Sequence, residues 1–352
     1  MFLRQALILG LEVRVVMAKR IFFGVAIVCV LIVGFVIFMP ETRQELFGTR
    51  LAHSLQAGKA ENVVTVAQLL SGTEIRPISE DGSVLPSSNV NTENYDVRLG
   101  LQESIQSVGS EDVVSYSVSS VESEQIGTSG AGDMIHNVYR LRLFPSGLPV
   151  ELKRTEGKLS RAVTDLCMTQ IMGAWWPEMP SKRVRKGDSW SGRWNVPYVL
   201  EVLDGKKISL CHEVQYFLDD VRSSKGLNIA HVTYKGTVAP ADLGELPKDT
   251  EIAGTGMIAG EVYINVANGQ SCLADERLIW SVAVRLRQDN MEIVQFADRN
   301  SRTYRPRYLP HGDAGFTKKA PGGTSQEGLP TAGELMKTAP AGEATGAADT
   351  KK

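Results

Sequence analysis

Between Tyr95 and Phe296, apolar residues fall again and again at every second position. Tyr95, Val97, Leu99 and Leu101 alternate with polar neighbours, as do Val114, Tyr116 and Val118, and then Tyr139, Leu141 and Leu143. The pattern returns at Leu210, His212, Val214 and Tyr216, at Ala230, Val232 and Tyr234, and at Ile258, Val262, Ile264 and Val266. It is clearest at Leu278, Trp280, Val282, Val284 and Leu286, with Arg285 and Arg287 on the opposite face. Successive side chains of a strand point to opposite faces, so each run reads as a half-buried antiparallel strand with one wet side. Met291–Phe296 is expected to pair back on the last run across the turn-prone Asp289-Asn290.

Two stretches depart from this period. Leu46, Leu51, Leu55, Val63, Val66, Ala67 and Leu70 lie at helical spacing, which predicts one or two short helices within 41–70. Leu159, Val163, Leu166 and Gln170 predict another over 157–174. The polar stretch from Ser79 to Asn94 reads as a linker or long loop. The expected class is therefore β-rich α+β: a curved antiparallel sheet or partial β-barrel over 91–310, with one or two packed helices, behind a helical segment and linker over 41–90.

The sequence Ile21–Met39 reads IFFGVAIVCVLIVGFVIFM and carries no charge. A helix of this length spans roughly 30 Å, the thickness of a bilayer's hydrocarbon core. Lys19 and Arg20 precede the run and Pro40 follows it. The basic flank predicts residues 1–20 in the cytoplasm and the bulk of the chain in the periplasm, or outside the cell, of a bacterium, with a single-pass anchor in the inner membrane. A cleaved signal peptide would have a shorter apolar stretch and a small-residue cleavage site, neither of which is present. Val28 before Cys29 argues against lipidation, and Gly24 and Gly34 lack GxxxG spacing. Met17-Ala-Lys-Arg, directly before the run, reads as an alternative translation start. After Pro310 the sequence is dominated by Gly, Ala, Pro, Thr and Lys. Such a tail over 311–352 buries too little surface to offset its ordering entropy and is expected to be disordered.

Composition narrows the function. A net charge of −2 gives no polybasic signature of nucleic-acid binding. Of four cysteines, Cys29 lies in the apolar run, while Cys167, Cys211 and Cys272 lie outside it with no CxxC spacing. They read as buried small hydrophobes, with one disulfide permitted in an oxidising compartment. The five histidines form no HxH, HExxH or zinc quartet, so neither a metal nor another cofactor is expected. His212 and His231 are placed where a hairpin could bring them face to face. There is no GxSxG elbow. Gly254-x-Gly256-x-x-x-Gly260 leads into a strand and so lacks the helix N-terminus that holds phosphate; these glycines instead read as sites of close strand approach. Asp219-Asp220 and Asp275-Glu276 read as solvated acids at turns. None of these features argues for an enzyme.

Four of the five tryptophans, Trp175, Trp176, Trp190 and Trp194, fall between 175 and 194. They read either as a hydrophobic plug at one end of the sheet or as an aromatic lining for an apolar or sugar ligand. Beside them, Lys182, Arg183, Arg185 and Lys186 read as a solvated turn, or else as a contact for anionic headgroups or an acidic partner. Trp175-Trp176-Pro177-Glu178-Met179-Pro180, followed by Val184-Arg185-Lys186-Gly187-Asp188-Ser189-Trp190, resembles the "LP…VKVGDSW" signature of a family of uncharacterised, β-rich bacterial envelope and lipoprotein-like proteins. Gly254–Gly260 and Asn268-Gly269 resemble a later part of the same pattern. That family has no assigned activity, so the resemblance implies a location and a fold. Its members are often lipid-anchored, whereas this chain carries the apolar run. The expected function is a membrane-held, extracytoplasmic binding or structural protein with an envelope protein partner, or else a carrier or sensor of a lipid-like ligand.

Overall fold

A computed structural model describes residues 48–87, 89–107, 112–125, 132–144, 146–147, 149–157, 175–200, 203, 206–224, 226–241, 243–287 and 289–308. Residues 1–49 and 50–352 separate into two units, and the strands all belong to the second. They are β1 (Ala60–Pro77), β2 (Asn89–Ser107), β3 (Asp112–Glu122), β4 (Val138–Leu143), β5 (Pro149–Glu156), β6 (Ser189–Leu200), β7 (Lys206–Ser224), β8 (Leu227–Pro240), β9 (Thr250–Asn265), β10 (Gln270–Leu286) and β11 (Met291–Tyr304), followed by a 3-10 turn at Pro306–Tyr308. All lie in one antiparallel sheet in the order β5-β4-β3-β2-β1-β11-β10-β9-β8-β7-β6.

Nearly every strand pairs with its neighbour in sequence, as short hairpin connections favour. The exceptions define the architecture. β1 pairs with β11, joining the two ends of the meander, from Val64 opposite Tyr304 to Pro77 opposite Met291. β5 and β6, consecutive in the chain, are the two edges of the sheet. Ten antiparallel pairings separate them, an even number, so they run in the same direction. Strands that run in the same direction cannot be joined by a tight turn and need a long crossover. The connection between these two runs from Gly157 to Asp188.

The sheet is rolled up. Its edge strands β5 and β6 come within 8 Å of each other between Cα atoms. Tyr198 on β6 packs edge-on against Trp280, four strands away on β10, with ring centroids 4.7 Å apart, and its hydroxyl donates to Gln295 Oε1 on β11 at 3.5 Å. The alternation explains the curvature. Residues such as Leu99, Val114, Leu141, Val214, Val232, Val262 and Val282 all point inward, where rolling removes them from water. β10 and β11 are buried on both faces: Trp280 and Val282 inward, Ile279 and Phe296 on the other side.

The fold corrects the sequence reading where helices were expected. Ala60–Pro77 is a strand with Val63, Thr65, Ala67 and Leu69 buried. The helical spacing over 63–70 draws residues from both faces of that strand. Among the described residues there is no packed α-helix beyond a single turn at 132–134. Over the described residues the class is thus all-antiparallel β, not α+β. Asn89–Asn94, expected in a linker, begins β2 and pairs with the end of β1. Among the described residues no helix is long and apolar enough to cross a membrane. The apolar run 21–39, the tail 311–352 and all but Gly157 of the helix expected over 157–174 lie outside the described residues.

Candidate functional site

The crossover from β5 to β6 carries Trp175 and Trp176 into the rolled sheet, where both are fully buried. Each indole N–H finds an acceptor. Trp175 Nε1 donates to Glu103 Oε2 at 3.1 Å, and Trp176 Nε1 donates to the Tyr116 hydroxyl at 2.6 Å. Tyr116 in turn donates to Glu103 Oε2 at 2.8 Å. Arg305 completes the network: Nη1 donates to Glu103 Oε1 at 2.8 Å and to Glu61 Oε2 at 3.0 Å, Nε donates to the Ser271 carbonyl at 2.9 Å, and the guanidinium lies 4.9 Å from the centre of the Trp175 ring. Ser271 Oγ donates back to the Trp175 carbonyl at 2.6 Å. His53 packs 5.1 Å from Trp176, and burial pulls its pKa down to about 4. These two tryptophans are therefore an anchored plug, with their polar atoms satisfied.

Trp190 and Trp194 belong to a different neighbourhood. Gly187, at φ 86°, and Asp188 make the turn into β6. Four residues apart on one face, Trp190 stacks on Tyr216 (5.5 Å, 16°) and Trp194 stacks on His212 (5.2 Å, 25°), both on β7. Trp190 Nε1 donates to the Glu178 carbonyl at 2.7 Å. Trp194 and His212 are direct cross-strand partners, only 4% and 5% exposed. Among the described residues neither Trp194 Nε1 nor His212 Nδ1 has a hydrogen-bond partner. Burial, and then the charge of Arg299, hold the His212 pKa down at about 3, so the ring is neutral near pH 7.

Across the interior from this pair lies an ion pair whose acid reads, in the sequence, as solvated. Asp275 and Glu276 sit in the middle of β10, not at a turn, and are buried. Glu276 Oε1 accepts from Arg299 Nη2 at 2.7 Å, and Oε2 accepts from the Tyr234 hydroxyl at 3.1 Å. Burial raises the Glu276 pKa against the opposing pull of Arg299. Asp275 points to the other face and holds Arg302 through two bonds of 2.6 Å. Acids in the middle of a central strand are tolerable only with such partners. The glycine motif of β9 serves the same layer. A Cβ on Gly256 would stand 2.7 Å from the Trp280 Cβ, and one on Gly260 would collide with the Tyr234 hydroxyl.

His212 and His231 do not meet. His212 pairs with Val238 and faces inward, whereas His231 pairs with Asp220 and faces outward. Asp219 and Asp220 lie within β7 at a register shift, not at a turn. His231 Nε2 lies 2.7 Å from Glu261 Oε2, and Nδ1 lies 3.7 Å from Asp219 Oδ2. Its ring stacks on Tyr263 at 4.5 Å. This group borders an open cleft of about 360 Å³ with Phe217 and Lys235. A second cleft of about 700 Å³ lies beside it, lined by Glu178, Arg193, Glu213 and Lys235. No group of acids, histidines and cysteines among the described residues is arranged to hold a metal ion. Cys211 and Cys272 are buried thiols, and Arg193 Nε donates to Cys211 Sγ at 3.1 Å.

The molecule is thus a β-rich protein built on one rolled antiparallel sheet with a polar layer inside. No family model matches the chain, and no curated protein matches it. Among solved structures, a protein of unknown function from the DUF3598 family, from Nostoc punctiforme PCC 73102, is 10% identical over an alignment covering 66% of this chain and 94% of that chain, with a TM-score of 0.11. A score that low carries no argument about fold or function.

Proposed function

We propose that this is a non-catalytic binding protein whose rolled sheet holds a small, mainly apolar guest between the β6–β7 wall and the β10–β11 wall. One observation carries the reading: Trp194 Nε1 and His212 Nδ1 are side by side, desolvated and without partners. A buried polar atom left without a hydrogen-bond partner costs about 1–3 kcal/mol, so a guest that satisfies both atoms at once gains that amount on binding. The same walls turn the buried side chains of Val196, Leu210 and Leu278 toward the interior. Of the four tryptophans singled out in the sequence, this assigns Trp194 to the guest, Trp190 to the wall beside it, and Trp175 and Trp176 to the plug.

The interior acids take a structural part in this reading. Glu103 and Glu276 each face an arginine and donor hydroxyls, an arrangement that holds charge in place. Organic extraction of the purified full-length chain, followed by mass spectrometry, tests it. A lipid-sized molecule recovered in stoichiometric amount from wild type, and depleted in Trp194→Ala, is the expected result. Equal recovery from both would sink the assignment.

A second reading has its own observation. The outer face of β6–β9 carries two adjoining clefts that share Lys235, a surface suited to an envelope protein partner. Cross-linking in intact cells, with a photoreactive residue at position 235, distinguishes a defined adduct from none. The charge-free sequence of 21–39 motivates placing this work at the bacterial inner membrane, on its outer side. Resistance of the chain to alkaline extraction from membranes, with accessibility to external protease, is the expected outcome.

A further inference from the structure

The chemistry around Trp194 and His212 also restricts the guest, and this inference rests on the binding reading above. We infer that the guest's buried polar group is electrically neutral and hydroxyl-like, as in a long-chain alcohol, and not a carboxylate. Indole Nε1 is a donor only, so the group facing it must accept a hydrogen bond. His212 Nδ1, on the stacked ring beside it, donates or accepts according to tautomer. A hydroxyl satisfies both at once, accepting from the indole while donating to or accepting from the imidazole.

Charge decides against an anion. The cation that acts on this pair, Arg299, is already bonded to Glu276 at 2.7 Å, with both side chains buried and Tyr234 on the second carboxylate oxygen. Arg299 therefore already has a carboxylate partner. A carboxylate entering beside it would be a second negative charge sharing one arginine, and an uncompensated buried charge is far more costly than a buried hydroxyl. A fully charged imidazolium could have compensated it, but His212 stays neutral at physiological pH because of its burial beside Arg299.

The experiment compares decan-1-ol with decanoate at pH 7.5 by isothermal titration on the full-length chain, delipidated beforehand, and repeats both with Trp194→Phe. That variant keeps a stacked ring and removes the N–H. The expected result is decanol binding at least tenfold tighter than decanoate, and weakened about five- to tenfold by Trp194→Phe, the scale of one lost hydrogen bond. Decanoate binding as tightly as decanol would overturn the neutral-group inference while leaving the binding reading standing. Binding of neither would overturn both. Unchanged decanol affinity in Trp194→Phe would overturn the placement of the polar group at this pair. Near-ultraviolet circular dichroism checks that the variant is folded. If it is not, His212→Asn serves in the same comparison.

Discussion

The Tyr234 hydroxyl occupies the space that a Cβ on Gly260 would need, so the strand β9 leaves room for the phenol that ties β8 to Glu276 on β10. Gly260→Ala therefore displaces Tyr234 and loosens one of the two partners of a buried carboxylate. A loss of about 2–4 kcal/mol is expected, combining overpacking with a broken hydrogen bond. Urea denaturation of the variant measures it. Gly58→Ala, whose Cβ would meet nothing within 4 Å at a positive φ of 80°, provides the contrast. It should cost only the backbone strain, about 1 kcal/mol.

The Glu276–Arg299 pair makes a sharper prediction. Removing either partner alone strands the other charge in the interior, at about 3–5 kcal/mol. Replacing both with apolar residues of similar size removes the desolvation cost as well. Glu276→Leu with Arg299→Met is thus expected to be more stable than either single variant. Denaturant midpoints of the three variants against wild type decide it. A double variant as unstable as the sum of the singles would show that the pair is not coupled in the way its 2.7 Å contact implies.

How much of this could be read in the sequence follows from which residues face the interior. β2, β7 and β10 announce themselves because most of their inward positions are Val, Leu, Ile, Tyr or Trp, with Glu103, His212 and Glu276 among the exceptions. β1 is disguised: Thr65 points inward and meets Thr303 across the pair at 3.0 Å, yet it reads as polar, and the remaining apolar positions fit a helix. The far half of β11 is hidden for the same reason, since Arg299, Ser301 and Thr303 face inward. The tryptophan-rich segment is conspicuous, but its division into a satisfied plug and an unsatisfied pair depends on partners as distant as Glu103 and Arg305. Asp275-Glu276 reads as a turn because the sequence alone does not reveal that Arg302 and Arg299 stand close by on β11. Sequence periodicity reports burial only where the buried residues are apolar, and this interior includes a polar layer.

Two histidines with depressed pKa values should govern stability in mild acid. His53 and His212 are held neutral when folded, with pKa values of about 4 and about 3, against an ordinary 6.5 when unfolded. A base with a depressed folded pKa favours the folded state fully above its unfolded pKa. The unfolded chain takes up protons first, so this contribution is lost as pH falls from about 6.5 toward 4 for His53 and toward 3 for His212. Between about pH 7 and about pH 5 each is expected to remove about 2 kcal/mol of stability. Unfolding free energies at the two pH values should differ by about 2 kcal/mol less in His212→Gln than in wild type. An unchanged difference would mean that His212 is not neutral inside.

Arg305 holds the crossover in place from just beyond the end of β11, so its loss should be felt more than about 100 residues away in sequence, at Trp175 and Glu103. Its guanidinium bonds to Glu103 and Glu61 and covers the Trp175 ring, and Glu103 also accepts from the Trp175 indole. In Arg305→Met, Glu103 remains buried with only neutral donors, Tyr116 and Trp175. The expected cost is about 3–5 kcal/mol, typical of an uncompensated buried charge. Glu103→Gln in the same background removes that charge and should recover part of the loss, even though it restores no contact with residue 305. Thermal or urea unfolding of the single and double variants makes the comparison. Recovery would identify buried charge as the source of the instability, whereas further loss would show that Glu103 matters chiefly as an acceptor for the plug.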